Sequence, residues 1–128
     1  MRRGIYILII TVFLLTLAIF EYVAVVNILN TMKESVSNIR QQYYENAANI
    51  TVLKDDVTEI KDYWLDRESA ICLMFNHKDL DDISNTLTKL VIYTENNDYY
   101  NASVEVGLLD EYMKHSDHKM SFSIHNIL

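Results

Sequence analysis

The pattern of apolar and polar residues divides the chain into one unbroken apolar stretch and a long region of helical periodicity. The stretch Ile5 to Phe20 carries no charge, and twelve of its sixteen residues are Ile, Leu, Val or Phe. At roughly −0.3 to −0.6 kcal/mol per side chain, these twelve favour bilayer insertion by about 4–7 kcal/mol. The stretch therefore predicts a membrane-spanning helix, with the lipid bilayer as its partner.

The outer boundary of this span is not obvious from its length. Sixteen residues at about 1.5 Å each cover about 24 Å, less than the roughly 30 Å of a hydrocarbon core, so the helix must continue beyond Phe20. Residues 22–26 are apolar enough to supply the difference. Glu21 then lies close to the outer interface. We expect its carboxylate either to be solvated or protonated there, or to pair with a polar group on another membrane helix.

The charges that flank the span predict its orientation. Arg2 and Arg3 precede it and Glu21 opens the far side, so the positive-inside rule places the N-terminus in the cytoplasm. A cleaved signal peptide begins in the same way, but no small-x-small cleavage site stands out after Phe20, which favours an uncleaved anchor. We predict a single-pass cell-membrane protein, with residues 1–29 as tip and anchor and residues 30–128 as an extracytoplasmic acidic helical domain.

A heptad-like stripe follows the span and is interrupted once. Its apolar members alternate in steps of three and four residues, which places them on one face of a helix. Asn46 is the exception, and the segment Asn46–Asn49 favours a bend between two antiparallel helices that bury the stripe within one chain. If the helix continues instead, a parallel coiled-coil homodimer becomes the expected arrangement. The stripe consists of Tyr22, Val25, Leu29, Met32, Val36, Ile39, Tyr43, Asn46, Ile50, Leu53, Val57, Ile60 and Trp64.

Three further helices complete the predicted domain. The second runs from Thr51 to about Phe75, with its acidic residues on the outer face and Trp64 as the largest core side chain. Asn76 is suited to cap a third helix that ends near Glu95. Asp98 is suited to cap a fourth, which carries Ala102, Val106, Leu109, Tyr112 and Met113.

The last residues show a different pattern, because apolar and polar residues alternate from Met120 to Leu128. We expect this stretch to lie extended across the bundle and to insert Phe122, Ile124 and Ile127. The predicted fold class is all-α, an N-terminal transmembrane helix that continues into a small antiparallel helical bundle.

Composition supports this class and narrows the partners. The chain has no proline and only two glycines, Gly4 and Gly107, which suits long helices. From Asn30 onward, seventeen Asp and Glu oppose nine Lys and Arg, which disfavours nucleic acid and adhesion of the domain to anionic lipid. Cys72 is the only cysteine, so no intrachain disulfide can form. We expect it to be a small buried apolar residue.

The residues that carry chemistry form only weak constellations. His77 and Asp81 are four apart with Asp79 between them, so a metal site can be imagined, but a single histidine with carboxylates is a poor ligand set. A capping and packing role at a buried helix start is the favoured interpretation. His115 and His118 are expected on the surface. Since Gly107 lies inside a helical pattern, no nucleophile elbow or phosphate-binding loop is present. We therefore predict no enzyme activity and no cofactor.

Several local features resemble a family of small single-span membrane proteins of Gram-positive, often spore-forming bacteria, catalogued as a domain of unknown function. The matching pieces are the basic tip and span, Trp64, the segment Asn76–Ile83 with its His-x-acid-Leu-Asp-x-Ile pattern, and the terminal Ser123–Leu128 with its Asn-Ile-Leu end. The resemblance implies a membrane-anchored helical domain and, from gene neighbourhood in that family, a partner that is another small integral membrane protein. It implies no activity.

Together these observations favour a noncatalytic accessory or interaction module that acts with another membrane protein. The three residues before Gly4 leave no room for a cytoplasmic output domain, so we expect any signal to pass through that partner. The alternative is an extracytoplasmic sensor domain that binds a cation or small ligand through His77, Asp79 and Asp81. The candidate interaction residues are Glu21, Trp64, His77, Asp81 and Asn126.

Overall fold

The computed structural model describes the backbone of residues 1–45 and 50–127 and the side chains of residues 1–45 and 52–121. It contains the helices α1 (Arg2–Tyr44), α2 (Ile50–Ile71), α3 (His77–Glu95) and α4 (Tyr99–Ile127). Within the described ranges there is no β-strand. The all-α prediction, with an N-terminal helix that continues into a helical bundle, is confirmed.

The four helices form an antiparallel bundle in which each packs against two neighbours. α1 packs against α2 and α4, and α3 packs against the same two helices diagonally opposite α1. Contacts between distant residues fix the directions, as in the ion pair between Lys33 and Asp117 and the one between Arg40 and Asp110. We call the end that contains Tyr22, the α2–α3 connection and the end of α4 the basal end, and the opposite end the distal end.

The heptad-like stripe becomes the core of this bundle. On α1, all five stripe residues between Val25 and Ile39 are buried, namely Val25, Leu29, Met32, Val36 and Ile39. Because α2 returns along α1, with Gln42 bonded to Asp56, the predicted antiparallel pairing of these two helices is confirmed. Asn46–Asn49 lie outside the described residues. The other helices contribute Leu53, Val57, Ile60, Trp64, Ile71, Leu80, Ile83, Leu87, Leu90, Ala102, Val106, Leu109, Met113 and Met120.

Two predicted caps define the ends of α3 and α4. The Asn76 Oδ1 atom accepts a hydrogen bond from the Asp79 backbone N–H at 2.8 Å, and the Asp98 Oδ1 atom accepts one from the Asn101 N–H at 3.2 Å. Between these helices Asn97 has a φ of 58°, and the Asp98 N–H donates to the Tyr93 carbonyl at 2.8 Å. This is the left-handed helix ending that asparagine tolerates better than most residues.

Three predictions about local structure are wrong. α2 ends at Ile71 rather than near Phe75. Asn76 is extended and α3 begins at His77, so the chain must reverse its direction within residues 72–75, which are therefore not helical. Cys72 lies in that turn and is only half-buried, with its thiol donating to the Ser69 carbonyl.

The expected extended C-terminal segment is also wrong, because α4 continues to Ile127. Met113, Met120, Ile124 and Ile127 are spaced three, four or seven apart, so the same residues that alternate locally also continue a helical stripe. A lone extended segment has no neighbouring strand to satisfy its backbone, whereas a helix satisfies its own. The side chains of Phe122, Ile124 and Ile127 lie outside the described residues.

Candidate functional site

The N-terminal part of α1 has the properties of a membrane-spanning segment. It contains the one helix segment, within the described ranges, that is long and apolar enough to cross a bilayer, with a mean hydropathy of 2.5 over its most apolar window. Its side chains from Ile5 to Phe20 are exposed in the isolated chain. The hydroxyls of Thr11 and Thr16 donate to carbonyls one turn earlier, at 2.8 Å each. Both hydroxyls are therefore satisfied without a partner outside the helix.

No linker separates this segment from the bundle. α1 is helical from Arg2 to Tyr44, and Val25 is already in the core with 2% of its surface exposed. Glu21 is exposed one turn before Val25, so about 6 Å of helix separates its position from the first core layer. The predicted division after residue 29 stays a prediction, since α1 passes through it without a break. The apolar segment and the first core layer therefore belong to one continuous helix.

The basal end contains a cavity between α1 and the ends of the other helices. Its volume is about 480 Å³. On one side the Lys119 ammonium pairs with the Asp79 carboxylate at 2.5 Å, and on the other the phenol of Tyr22 closes the wall. The cavity combines apolar walls with one ion pair. Its lining is Tyr22, Leu73, Met74, Phe75, Asn76, Asp79, Lys119 and Met120.

The predicted metal candidates do not come together at this end. His77 and Asp81 are exposed on α3, and the Asp79 carboxylate is directed at Lys119. In residues 1–45 and 52–121 no group of three or more His, Cys, Asp or Glu side chains is placed to hold a metal ion. The packing role expected for His77 and Asp81 is wrong, because the cap is made by Asn76 and both side chains face solvent.

The remaining candidate residues have different surroundings. Trp64 is completely buried, and its Nε1–H donates to the Ser84 Oγ atom at 2.8 Å. The Ser84 hydroxyl in turn donates to the Glu68 Oε1 atom at 3.2 Å. The predicted core role of Trp64 is confirmed, and its indole leaves no surface for a partner. Asn126 lies in the last turn of α4, and its side chain is outside the described residues.

A polar groove between α1 and α2 was missed by the sequence interpretation. It has a volume of about 460 Å³, and the Gln42 amide donates across it to the Asp56 carboxylate at 2.7 Å. The sequence feature that could have predicted the groove is a row of polar residues beside the apolar stripe of α1, Thr31, Ser35 and Asn38. In the sequence alone, this row is indistinguishable from a solvent-exposed helix face. The groove is lined by Thr31, Ser35, Asn38, Ile39, Gln41, Gln42, Glu45, Asp56, Glu59, Ile60 and Tyr63.

A buried carboxylate between α3 and α4 was also missed. Glu105 has only 7% of its surface exposed, and its Oε2 atom has no hydrogen-bond partner among the described residues. It lies fourteen residues before Lys119, which faces Asp79 of α3, so it occupies the same face of α4. The sequence feature that could have predicted this buried acid is the position of Glu105 between two valines, Val104 and Val106.

At the distal end, Tyr43 connects α1 to α3. Its hydroxyl lies 2.5 Å from the Thr94 Oγ1 atom, which itself donates to the Leu90 carbonyl at 2.7 Å. Burial of the phenol raises the pKa of Tyr43, the hydrogen bond with Thr94 lowers it, and the nearby Tyr99 raises it; the net direction is upward.

Replacing Tyr43 by phenylalanine should change stability differently at neutral and alkaline pH. With a raised folded-state pKa, the stabilisation by protonated Tyr43 is complete below about pH 10, the unfolded pKa, and is lost as pH rises through the folded pKa. Tyr43→Phe should remove this alkaline loss. At neutral pH it should lose one hydrogen bond, about 0.5–1.5 kcal/mol. Urea unfolding of the full chain in detergent, followed by circular dichroism, measures both effects.

Tyr100→Phe is the matched control, because the Tyr100 side chain is 79% exposed. Its unfolding free energy should follow that of the unmodified chain at every pH. An equally steep alkaline loss in Tyr43→Phe and in the unmodified chain would contradict the assignment to Tyr43.

The fold defines a class, a four-helix bundle whose first helix extends into an apolar segment able to span a membrane. Comparison with known families then identifies the chain. Residues 19–127 match the family described as a domain of unknown function, DUF4363, so the chain belongs to that family. No curated protein and no solved structure shows significant similarity to it. The match includes the bundle and the C-terminal end of the apolar segment, while the bacterial origin and the two short motifs of the resemblance stay predictions.

Proposed function

We propose that this chain is a membrane-anchored, noncatalytic accessory module that acts by binding another integral membrane protein. α1 crosses the cell membrane once, with its N-terminus in the cytoplasm, and holds the acidic bundle at the extracytoplasmic surface. The observation that carries the proposal is the continuity of α1, whose first part is apolar and exposed and whose second part supplies core residues from Val25 onward.

This continuity supports a role in transmitting a contact as well as in tethering. Because Val25, Leu29 and Met32 are core residues of the bundle, a partner that moves or tilts the span also moves the core. Interiors packed like organic crystals transmit such displacements instead of absorbing them. A partner helix in the bilayer would thereby be coupled to the surface of the bundle.

The bundle also has a surface suited to a partner outside the bilayer. On the outer face of α4, large apolar side chains at i, i+4 and i+8 are exposed, namely Tyr100, Val104 and Leu108. Contiguous exposed apolar patches are typical of protein–protein interaction sites. We assign no reaction to the bundle, because its candidate residues His77 and Asp81 point to solvent on the outside of α3.

Glu21 is the most direct test of the partner in the membrane. Affinity-tagged full chain should be crosslinked in native membranes, purified and analysed by mass spectrometry. An integral membrane protein should be enriched with the unmodified chain and recovered about 3- to 18-fold less with Glu21→Ala, the range expected for a polar contact of about 0.6–1.7 kcal/mol in a membrane. A leucine span of equal length should weaken recovery further.

Glu34→Ala is the matched control, since Glu34 is an exposed acid on α1 beyond the first core layers. It should leave recovery unchanged. A monodisperse, partner-free monomer from all four chains would overturn the proposal.

A second candidate is an extracytoplasmic sensor domain that binds a cation or a small polar ligand. The polar groove favours it. This groove has a volume of about 460 Å³, and polar side chains of both helices line it, Asn38 and Gln42 on α1 and Asp56 and Glu59 on α2. Metal analysis of the purified chain and thermal shift with divalent ions separate the two candidates. Bound metal, or a shift abolished by Glu59→Gln, would favour the sensor; the absence of both would dispose of it for these ions.

A further inference from the structure

We infer that the turn between α2 and α3 is a second membrane contact, in which Leu73 and Met74 enter the interfacial layer of the leaflet from which α1 emerges. This inference rests on the proposed anchoring by α1. The turn, residues 72–76, is called the basal turn below. Its occupant is the lipid surface itself, at the boundary between headgroups and acyl chains.

The first step concerns the height of the basal turn along α1. Gln42 of α1 is hydrogen-bonded to Asp56 of α2, and the two helices are antiparallel. Following α1 from Gln42 down to Tyr22 therefore corresponds to following α2 from Asp56 past its end and into the basal turn. The basal cavity gives the same result independently, because Tyr22 forms its wall together with Leu73 and Met74. The basal turn thus lies level with the segment of α1 just beyond Glu21.

The second step concerns the height of the membrane. A helix that enters the hydrocarbon core at Ile5 needs about 20 residues to cross about 30 Å and leaves it near Ala24. The headgroup layer extends about 5–7 Å further. Val25 is already a core residue of the bundle, and α1 has no break at this position. The base of the bundle therefore begins where the hydrocarbon ends, and the basal turn lies in the interface.

The third step concerns what the basal turn presents there. Leu73 is 77% exposed and Met74 is 40% exposed, whereas Phe75 packs into the core and holds the turn in place. The segment from Cys72 to Asn76 has no charged residue. Asp79, the acid that follows it, is paired with Lys119. An uncharged turn with two large apolar side chains is costly in water but favourable in the interface.

The apolar surface is also continuous with that of the span. Phe20 and Val23 are exposed on α1 at or below the height of the basal turn. The lipid that surrounds α1 therefore meets the basal turn without crossing a polar gap. Two separate points of attachment, α1 and the basal turn, define the orientation of the bundle against the membrane, which a single helix does not.

Site-specific quenching in vesicles tests the inference. The full chain with Cys72→Ser receives one cysteine at a time, Leu73→Cys, Leu14→Cys or Tyr100→Cys, each labelled with an NBD fluorophore. The chains are reconstituted into phosphatidylcholine vesicles that contain lipid with a doxyl quencher near the headgroup or deep in the acyl chain. Leu14 reports the span, and Tyr100 is an exposed control at the distal end.

The shallow quencher should reduce the Leu73 signal at least 3-fold more than the Tyr100 signal, and the deep quencher should act most strongly on Leu14. Equal quenching at Leu73 and Tyr100, with Leu14 still quenched, would overturn the membrane contact and leave the anchor in place. If Leu14 itself is not quenched by either lipid, the anchoring proposal fails.

A second set of variants assigns the contact to the two side chains. A probe at Lys78→Cys, in the first turn of α3, should lose at least half of its shallow quenching when Leu73 and Met74 are both replaced by aspartate. Val104→Asp with Leu108→Asp is the matched pair on α4 and should have no effect. Thermal unfolding in detergent should be unchanged by either pair. Unchanged quenching at residue 78 in the basal-turn pair would contradict the assignment.

Discussion

Replacing Leu14 and Leu15 together by arginine is expected to remove the chain from the membrane. Each arginine at a helix centre costs about 2.5–3.5 kcal/mol and each lost leucine gives up a further 0.3–0.6 kcal/mol, so the pair costs about 6–8 kcal/mol. The apolar side chains of the whole stretch from Ile5 to Phe20 favour insertion by only about 4–7 kcal/mol. The balance therefore reverses. Extraction of membranes with alkaline carbonate, followed by immunoblotting, measures the change.

The substitutions should change membrane insertion without changing the stability of the bundle, because both leucines are exposed in the isolated chain and contribute nothing to the bundle core. Val104→Arg with Leu108→Arg places the same charges on α4 and should leave the chain in the membrane fraction. Circular dichroism should show the same helix content for both pairs in detergent. Carbonate-resistant membrane association of the Leu14 and Leu15 variant would disprove the assignment of the span.

Replacing Trp64 by alanine is expected to cause the largest loss of stability of any single substitution in the bundle. The indole is fully buried, and a buried tryptophan truncated to alanine typically costs about 3–5 kcal/mol. The change also removes the donor to Ser84. For a domain of about 100 residues this corresponds to a fall of more than about 10 °C in Tm. Thermal and urea unfolding of the full chain in detergent provide the measurement.

Two further variants separate packing from hydrogen bonding at this position. Trp64→Phe keeps most of the apolar contact and should cost less than Trp64→Ala, because the hydrogen bond to Ser84 is the main loss. Leu65→Ala changes the next residue, which is half-exposed, and should cost about 1 kcal/mol or less. Equal losses for Trp64→Ala and Leu65→Ala would show that the indole does not organise the core.

The parts of the fold that follow from local chemistry were predictable. The start of α3 at His77 depends on one side-chain acceptor, Asn76, and the start of α4 depends on Asp98. The apolar stripe was predictable for the same reason, since a spacing of three and four residues can face only one direction from a helix. Trp64 was predictable as a core residue because it carries the largest apolar side chain of the sequence and lies on the apolar stripe.

The errors occurred where a local pattern allowed two outcomes. The alternation after Met120 fits an extended segment, but Met120, Ile124 and Ile127 also fit a helix, and α4 extends along α1 and α3 to the basal end. Similarly, His77 and Asp81 share a helix face, but whether that face is buried depends on where the neighbouring helices lie. Spacing within one helix carries no information about this.

Local patterns along the chain were enough to predict a membrane-compatible first helix, four helices with defined apolar faces, two helix caps and an acidic domain, because these features depend on side chains that are close together in sequence. The pairing of the apolar faces could not be predicted in this way, because it depends on how the helices pack against one another. Tertiary packing brought Gln42 to Asp56 across the polar groove, buried Glu105 between α3 and α4, and placed Leu73 and Met74 beside Tyr22 at the basal cavity. Contacts between residues far apart in sequence depend on the antiparallel register of the helices, and that register is set by the packing of the whole core at once.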